Sequence, residues 1–160
     1  MDILGSAASV LRRATPADAP AIAALTAVAY SKYIVRMGRE PQPMRTDYVR
    51  VVAEHPVWLL EAAGELLGVL VLMHEPDALL IYNVAVSPQY QRHGYGRQLL
   101  AYAEAQARAA GYAHIRLYTN ALMTENIALY TRLGYHETGR EAFGELTRVN
   151  FAKALGPGNG

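Results

Sequence analysis

The stretch that decides the fold runs from Asn83-Val84-Ala85-Val86 through Ser87-Pro88-Gln89-Tyr90 into Gln91-Arg92-His93-Gly94-Tyr95-Gly96. Residues 78–86 are mostly apolar and predict a β-strand. From Gly96 to Ala110 the composition changes to Ala, Leu, Gln, Glu and Arg, and Gly111 follows, which predicts a helix that ends at a glycine. A strand therefore passes into a long helix through a short turn that contains glycine.

A turn of this kind is suited to binding an anion. The first amides of a helix have no partner within it, and the helix dipole adds partial positive charge at the same place. Gly94 and Gly96 leave room for a phosphate near the backbone, and Arg92 and Arg97 can donate charge-assisted hydrogen bonds. The turn is therefore predicted to bind a pyrophosphate group.

Two other phosphate-binding motifs fit this turn poorly. A P-loop requires Lys and then Ser or Thr after its last glycine, whereas Arg97-Gln98 follow Gly96. A dinucleotide fingerprint that starts at Gly94 requires Gly or Ala at position 99, where Leu99 stands. A phosphate-ligand enzyme of another class, such as a nucleotide-binding one, is the alternative that these mismatches leave.

Gln91, Gly94 and Gly96 match the pattern Q/R-x-x-G-x-G/A, and the turn resembles the acyl-CoA motif of the GNAT family of N-acetyltransferases. A second segment, Asn126-Ile127-Ala128-Leu129-Tyr130-Thr131-Arg132-Leu133-Gly134-Tyr135, is similar to the family's downstream helix motif. The two motifs stand in the family's order, about 30 residues apart. The resemblance extends over residues 9–153 and is most specific over 79–135.

The resemblance implies a single α/β (α+β) domain over residues 1–155, with a flexible tail at 156–160. Its sheet is expected to be mixed, mostly antiparallel, with about seven strands flanked by about four helices. Hydrophobic patterns along the chain predict a compatible order. Strands are predicted at 9–14, 57–62, 67–74, 78–86, 115–118, 135–142 and 146–151, and helices at 16–33, 46–53, 96–110 and 125–133.

The resemblance also implies acetyl-CoA as the co-substrate. In the family, the fourth strand splays from the fifth at a bulge, and the pantetheine arm pairs with the main chain of that strand. This assigns coenzyme binding to residues of the strand, the turn and the later helix, namely Val84, Ala85, Val86, Gln91, Arg92, His93, Gly94, Tyr95, Gly96, Arg97 and Asn126. His93 is expected to act through its backbone amide.

Tyr130 matches the family's general acid, which protonates the sulfur of departing CoA. The reaction also needs a base. A lysine-like amine, with an unperturbed pKa of about 10.4, is protonated at neutral pH and must lose a proton before it attacks. Several family members use a Glu on the fourth strand, where this chain has Tyr82 and Asn83. A water chain is the first candidate for the base, and His74, Glu75 and Asp77 are the others.

The acceptor is expected to be a primary amine of a small molecule or peptide. The resemblance puts residues 30–48 on one wall of the acceptor pocket, where Tyr33 and Arg36 are candidate contacts, Arg36 for a substrate carboxylate. Tyr82 and Asn83 are further candidates. The alternative for Arg36 is an ordinary surface arginine at a helix end.

Composition limits the other functional classes. The chain has 160 residues, 52% of them hydrophobic, and a net charge of +1, which favours neither nucleic acid nor an anionic membrane as partner. It has no Cys to hold an acyl intermediate, and its five histidines form no ligand pair that would indicate a metal.

Taken together, the sequence favours an N-acetyltransferase that transfers the acetyl group directly from acetyl-CoA to the amine. We expect it to be cytoplasmic, with a homodimer as the candidate assembly. The main alternative is a module with the same fold that senses acyl-CoA without turnover, because the strand carboxylate of several family members is missing.

Overall fold

A computed structural model describes residues 8–156, and its centre is one seven-stranded sheet with the order β1-β2-β3-β4-β5-β7-β6. Neighbouring strands are antiparallel except β4 and β5, which run parallel. The prediction of a mixed, mostly antiparallel sheet of about seven strands is confirmed. The strands are β1 (Val10–Arg13), β2 (Val57–Ala62), β3 (Glu65–His74), β4 (Leu79–Val86), β5 (His114–Asn120), β6 (His136–Phe143) and β7 (Leu146–Ala154).

The predicted domain limits stay a prediction. Residues 1–7 and 157–160, which include most of the predicted tail at 156–160, lie outside the described residues.

Five α-helices pack on the sheet within residues 8–156, one more than predicted. They are α1 (Ala19–Tyr30), α2 (Lys32–Met37), α3 (Tyr48–Glu54), α4 (Tyr95–Ala109) and α5 (Thr124–Arg132). The additional helix arises because the predicted helix over 16–33 is interrupted at Ser31. Ser31 keeps helical backbone angles, with φ of −55° and ψ of −34°, and its hydroxyl donates to the carbonyl of Val28 at 3.0 Å, a local bond of a kind that often bends helices.

The two faces of the sheet have separate hydrophobic cores. On one face, α4 packs Leu99, Leu100 and Ala103 against the strands. On the other, α1 packs Ile22 and Leu25 against β2 and β3. The sheet is therefore covered on both sides, as its largely apolar central strands require.

The strand β4 has two irregularities that position the site. Its register with β3 shifts around Tyr82, which the ladder skips. Its pairing with β5 extends only from Leu79 to Ile81, although both strands continue beyond that point. Residues 82–86 therefore diverge from β5 and leave a gap inside the sheet. A bulge next to a functional site is a common means of redirecting a strand.

Candidate active site

The gap between β4 and β5 opens into a cleft of about 490 Å³ that is partly open to solvent. The end of α1, the start of α2, the end of β4, the turn before α4 and one side of α5 line this cleft. Ten of the eleven predicted coenzyme-binding residues are among the lining residues: Val84, Ala85, Val86, Gln91, Arg92, Gly94, Tyr95, Gly96, Arg97 and Asn126. We call it the coenzyme cleft.

The turn before α4 has left-handed backbone at two positions, with φ of 68° at Arg92 and 84° at Gly94. A Cβ added to Gly94 would meet no atom within 4 Å, so space is open beside the backbone there. The amide of Gln98 bonds the carbonyl of Gly94 at 3.0 Å. The amides of residues 95–97 precede that bond and have no acceptor within the helix. This geometry suits the predicted anion.

Basic side chains surround the coenzyme cleft. Arg92 and Arg97 line it as predicted, and the sequence analysis missed two more, Lys32 at the start of α2 and Arg132 at the end of α5. Glu125 is the one carboxylate among the described lining residues. The excess of positive charge favours a ligand that carries several phosphate charges.

Two side chains of the turn hold its shape. The Gln91 amide donates to the carbonyl of Val86 at 3.1 Å and so ties the turn to the end of β4. The His93 ring faces the carbonyls of Tyr90 and Gln91 at 3.0 and 2.9 Å and stacks on Tyr95. The His93 side chain thus packs on the turn, which leaves any coenzyme contact to its backbone.

Tyr130 lies in α5 where the cleft meets the sheet. Its side chain is 7% exposed and its ring contacts Tyr135 and Phe151, each with a centroid distance of 6.0 Å. Burial, with a smaller contribution from Tyr33, raises the pKa of Tyr130 well above the ordinary phenol value. Within the described part of the chain, no hydrogen bond engages its hydroxyl. The hydroxyl is therefore protonated at neutral pH and available as a donor.

A second pocket of about 110 Å³ lies beneath the loop of residues 37–45 and reaches β5, β6 and β7. We call it the acceptor pocket. Four residues line both this pocket and the coenzyme cleft: Tyr30, Val84, Asn126 and Tyr130. Two ligands, one in each space, would therefore meet at the gap in the sheet, beside Tyr130.

Asn83 lies at this gap and is 2% exposed. Its side-chain oxygen accepts a hydrogen bond from the Tyr30 hydroxyl at 2.9 Å, and its amide nitrogen donates to the hydroxyls of Tyr48 at 3.1 Å and Thr26 at 3.4 Å. Burial raises the pKa of Tyr48 to about 12. Asn83 lines the acceptor pocket as predicted, but its polar atoms connect α1, α3 and β4.

Tyr82 also lines the acceptor pocket, with its hydroxyl 2.8 Å from that of Thr46. Tyr33 occupies a different place from the one predicted. It is 2% exposed and lines the coenzyme cleft, and it is not among the described residues that line the acceptor pocket.

The position of Arg36 argues against the predicted contact with a substrate carboxylate. Its guanidinium donates to both carboxylate oxygens of Glu125, at 2.6 and 3.3 Å, and to the carbonyl of Leu122 at 2.9 Å. Arg36 lowers the pKa of Glu125 to about 2, so the pair is charged at neutral pH. Arg36 is not among the described residues that line the acceptor pocket or the coenzyme cleft.

The side-chain candidates for the base lie away from the gap. His74 faces the Tyr112 hydroxyl at 2.9 Å, and Glu75 forms an ion pair with Arg116. Neither they nor Asp77 belong to the described lining of the acceptor pocket. Water, the first candidate, is the one that this arrangement favours.

Tyr30 and Glu40 line the acceptor pocket and belong to residues 30–48, which the sequence analysis put on one of its walls. Sequence reasoning missed residues of the pocket on distant strands, among them Tyr118 and Arg148. These two residues occupy positions of two ordinary strands, so periodicity alone gave no signal for them.

Comparison with known proteins agrees with this geometry. Residues 22–135 match the model of the acetyltransferase (GNAT) family, which covers more than half of the chain and includes both sequence motifs. The chain belongs to the GNAT family. The predicted resemblance is therefore confirmed.

Two curated relatives of this GNAT chain match over part of their length. N-acetyltransferase family 8 member 3 of Rattus norvegicus is 26% identical over 98 residues, 58% of this chain and 43% of the relative. The [ribosomal protein bS18]-alanine N-acetyltransferase of Escherichia coli strain K12 is 39% identical over 61 residues, 38% of this chain and 41% of the relative. The chain thus spans less than half the length of these relatives.

Solved structures share the GNAT fold across almost the entire chain. The PaiA N-acetyltransferase from Thermoplasma acidophilum in complex with coenzyme A superposes with a TM-score of 0.77 at 13% identity. The match covers 92% of this chain and 99% of that structure. The likeness supports the fold assigned above.

Two features are absent from residues 8–156. None of the helices described there has the length and apolarity that crossing a membrane requires. In the same residues, no group of three or more His, Cys, Asp or Glu side chains is arranged to hold a metal ion.

Proposed function

We propose that this GNAT chain is an acetyl-CoA-dependent N-acetyltransferase that moves an acetyl group directly to a primary amine of a small molecule or peptide. The observation that carries the proposal is the pair of spaces that meet at the gap between β4 and β5. Because Tyr30, Val84, Asn126 and Tyr130 line both, a thioester in one and an amine in the other would be in contact. Positioning of two reactants in this way accounts for much of the rate of such reactions.

The coenzyme cleft supports acetyl-CoA as the co-substrate. The free amides of residues 95–97 and the side chains of Arg92 and Arg97 would bind the diphosphate. The backbone of residues 82–86, which β5 leaves unpaired, would hydrogen-bond the amides of the pantetheine arm. The first interaction uses amides without an acceptor inside α4, and the second uses the strand edge that β5 leaves open, where the Val86 carbonyl already accepts from Gln91.

Tyr130 would act as the general acid. When the amine attacks the thioester carbonyl, the carbon–sulfur bond breaks and the sulfur leaves with an electron pair. A proton from the Tyr130 hydroxyl converts this thiolate to the CoA thiol. Because burial raises the pKa of Tyr130, the phenol is protonated when the thiolate forms.

The proton that the amine loses would leave through water in the acceptor pocket. Glu40 is the one carboxylate among the described lining residues of this pocket, and it is exposed. A water relay toward the pocket mouth therefore supports the reaction without a buried base.

The rival function is an acyl-CoA sensor without turnover, which the lack of a carboxylate on β4 beside the gap favours. Release of CoA thiol from acetyl-CoA across a panel of primary amines separates the two, with the Tyr130→Phe variant measured in parallel. We expect wild-type turnover on at least one amine and a large loss in the variant. A complete absence of turnover with tight CoA binding would establish the sensor instead.

A thermal-shift series tests the ligand class. CoA should raise the melting temperature, whereas ATP and NAD should not, because only a ligand that binds the folded state stabilises it. Stabilisation by ATP or NAD alone would contradict the proposal. Cytoplasmic location and homodimer formation stay predictions.

A further inference from the structure

The acceptor pocket has a marked charge imbalance. Three arginines, Arg39, Arg45 and Arg148, are among its described lining residues, against the single carboxylate of Glu40. Arg39 lies 3.7 Å from Glu145, a side chain that is 92% exposed, so solvent weakens that pair. A pocket with this excess of cations favours an acceptor that carries negative charge in addition to its amine.

Arg148 is the arginine whose position the fold determines most closely. It lies on β7, and its side chain is only 22% exposed. Its guanidinium carbon lies 4.0 Å from the ring centroid of Tyr118 on one strand and 4.3 Å from that of Phe143 on another. Two aromatic rings therefore cover the guanidinium and keep it in one place.

Among the described residues, the guanidinium of Arg148 makes no hydrogen bond. It forms a long ion pair, at 3.9 Å, with Glu141, its cross-strand neighbour on β6, and this distance is too great for a hydrogen bond. Glu141 is itself 56% exposed and accepts a hydrogen bond from the Asn150 amide at 3.1 Å. A guanidinium that is largely covered and lacks hydrogen bonds is expected to find a planar anionic partner.

We propose that Arg148 binds a carboxylate of the acceptor, so that the acceptor is an amine joined through an apolar body to a carboxylate. The proposal rests on the acetyl-transfer function above and adds the substrate class. Arg148 takes the role that the sequence analysis assigned to Arg36. Unlike Arg36, it lines the pocket and is not bound bidentately to a carboxylate of the protein.

The strand order gives the approximate length of this acceptor. Arg148 on β7 pairs with Asn120 on β5, and β5 separates β7 from β4. At about 4.8 Å between neighbouring strands, the backbone of Arg148 lies roughly 10 Å from the β4 edge of the gap where the amine would react. Apolar side chains also line the pocket, among them Ile81, Leu117, Met123 and Phe143.

A matched pair of amines tests the proposal. One is 3-[4-(aminomethyl)phenyl]propanoate, which has an amine and a carboxylate at opposite ends of an apolar body, and the other is its carboxamide. In the wild type, we expect kcat/KM for the carboxylate to exceed that for the carboxamide by about 10- to 100-fold, the value of a charge-assisted contact. CoA thiol release measures both.

Variants assign the preference to one residue. Arg148→Met keeps a long chain between the two rings but loses the charge, and it should reduce the preference to within about threefold. Arg140→Met is the matched control, because Arg140 lies on β6, pairs with Glu137 and is outside the described lining of the pocket. It should keep the wild-type preference.

A measurement on the wild type alone does not depend on how the variant folds. 3-Phenylpropanoate, which lacks the amine, should inhibit competitively against the acceptor and at lower concentration than 3-phenylpropanamide. Equal inhibition, equal rates for the matched pair, or an unchanged preference in Arg148→Met would overturn the carboxylate assignment while acetyl transfer stands. If no amine releases CoA thiol, the proposed function fails, and this inference fails with it.

Discussion

Replacing Tyr130 with phenylalanine removes a single oxygen atom from the point where the coenzyme cleft and the acceptor pocket meet. The ring contacts with Tyr135 and Phe151 remain, because phenylalanine keeps the ring. The hydroxyl makes no hydrogen bond within the described residues, so no buried partner loses one. We therefore expect the free energy of unfolding to change by less than about 1 kcal/mol.

The effect on the reaction should be much larger. A positioned general acid contributes about 10²- to 10⁴-fold to the rate, and Tyr130→Phe should lower kcat by that factor. The dissociation constant for CoA should change little, because the phosphate-binding turn and β4 are not altered. The expected pattern is a slow enzyme with normal stability and normal coenzyme binding.

Tyr135→Phe provides the matched control, because it makes the same chemical change at the next aromatic position. Tyr135 is 1% exposed, and its hydroxyl donates to the buried carboxylate of Glu104 at 3.0 Å. Loss of a hydrogen bond to a charged group costs about 1.5–3 kcal/mol. This variant should therefore be less stable and yet retain kcat, the opposite pattern from Tyr130→Phe.

Three assays separate the two variants: urea unfolding, calorimetric titration with CoA, and steady-state thiol release with the best amine of the panel. A Tyr130→Phe enzyme whose kcat stays within about threefold of wild type would refute the role of general acid. The same kcat loss in both variants would also refute it, because it would attribute the loss to packing around α5.

Three further predictions follow from the same geometry. Gly68→Ala should lower the free energy of unfolding by about 1–3 kcal/mol in a urea titration, because the added Cβ would lie 2.9 Å from Leu99 Cδ1. Gly139→Ala is the control and should have little effect, because a Cβ added there would meet no atom within 4 Å. Arg97→Gln should raise KM for acetyl-CoA about tenfold but leave the rate with acetyl-pantetheine, which has no diphosphate, unchanged. The value of kcat/KM should rise with pH up to about pH 10, because the acceptor amine loses its proton over this range. It should not decline there, because burial raises the pKa of Tyr130 and keeps the phenol protonated. A decline that starts below about pH 9 would contradict the role of Tyr130 as general acid.

The coenzyme side of the site could be predicted from the sequence because most of it is one continuous segment. The strand, the turn and the start of α4 lie within residues 83–97, and each has a local cause in apolar periodicity, glycine spacing or helix amides. Gln91 and Gly94 could therefore be assigned to this site, and both line the cleft. Local rules predicted the strand, the turn and the helix, and the resemblance to the family supplied the coenzyme, whose contacts stay a prediction.

The acceptor side could not be predicted in the same way because tertiary structure assembles it. Its described lining comes from the loop of residues 37–45, from β4 and β5, and from the hairpin of β6 and β7. Arg36 and Arg148 are equally polar in the sequence. Only the fold places Glu125 beside Arg36 and two aromatic rings around Arg148.

The irregularity of β4 connects the two halves of the site. A strand inside a sheet normally pairs on both edges, and backbone groups that lose their partners carry a free-energy cost unless water or a ligand hydrogen-bonds them. Residues 83–86 keep their pairing with β3 but leave β5, so one edge is open toward both the cleft and the pocket. A coenzyme arm that paired with this edge would complete the sheet and at the same time form part of the wall of the acceptor pocket. Coenzyme binding should therefore strengthen acceptor binding, and the amides of β4 should exchange hydrogen more slowly once CoA is bound.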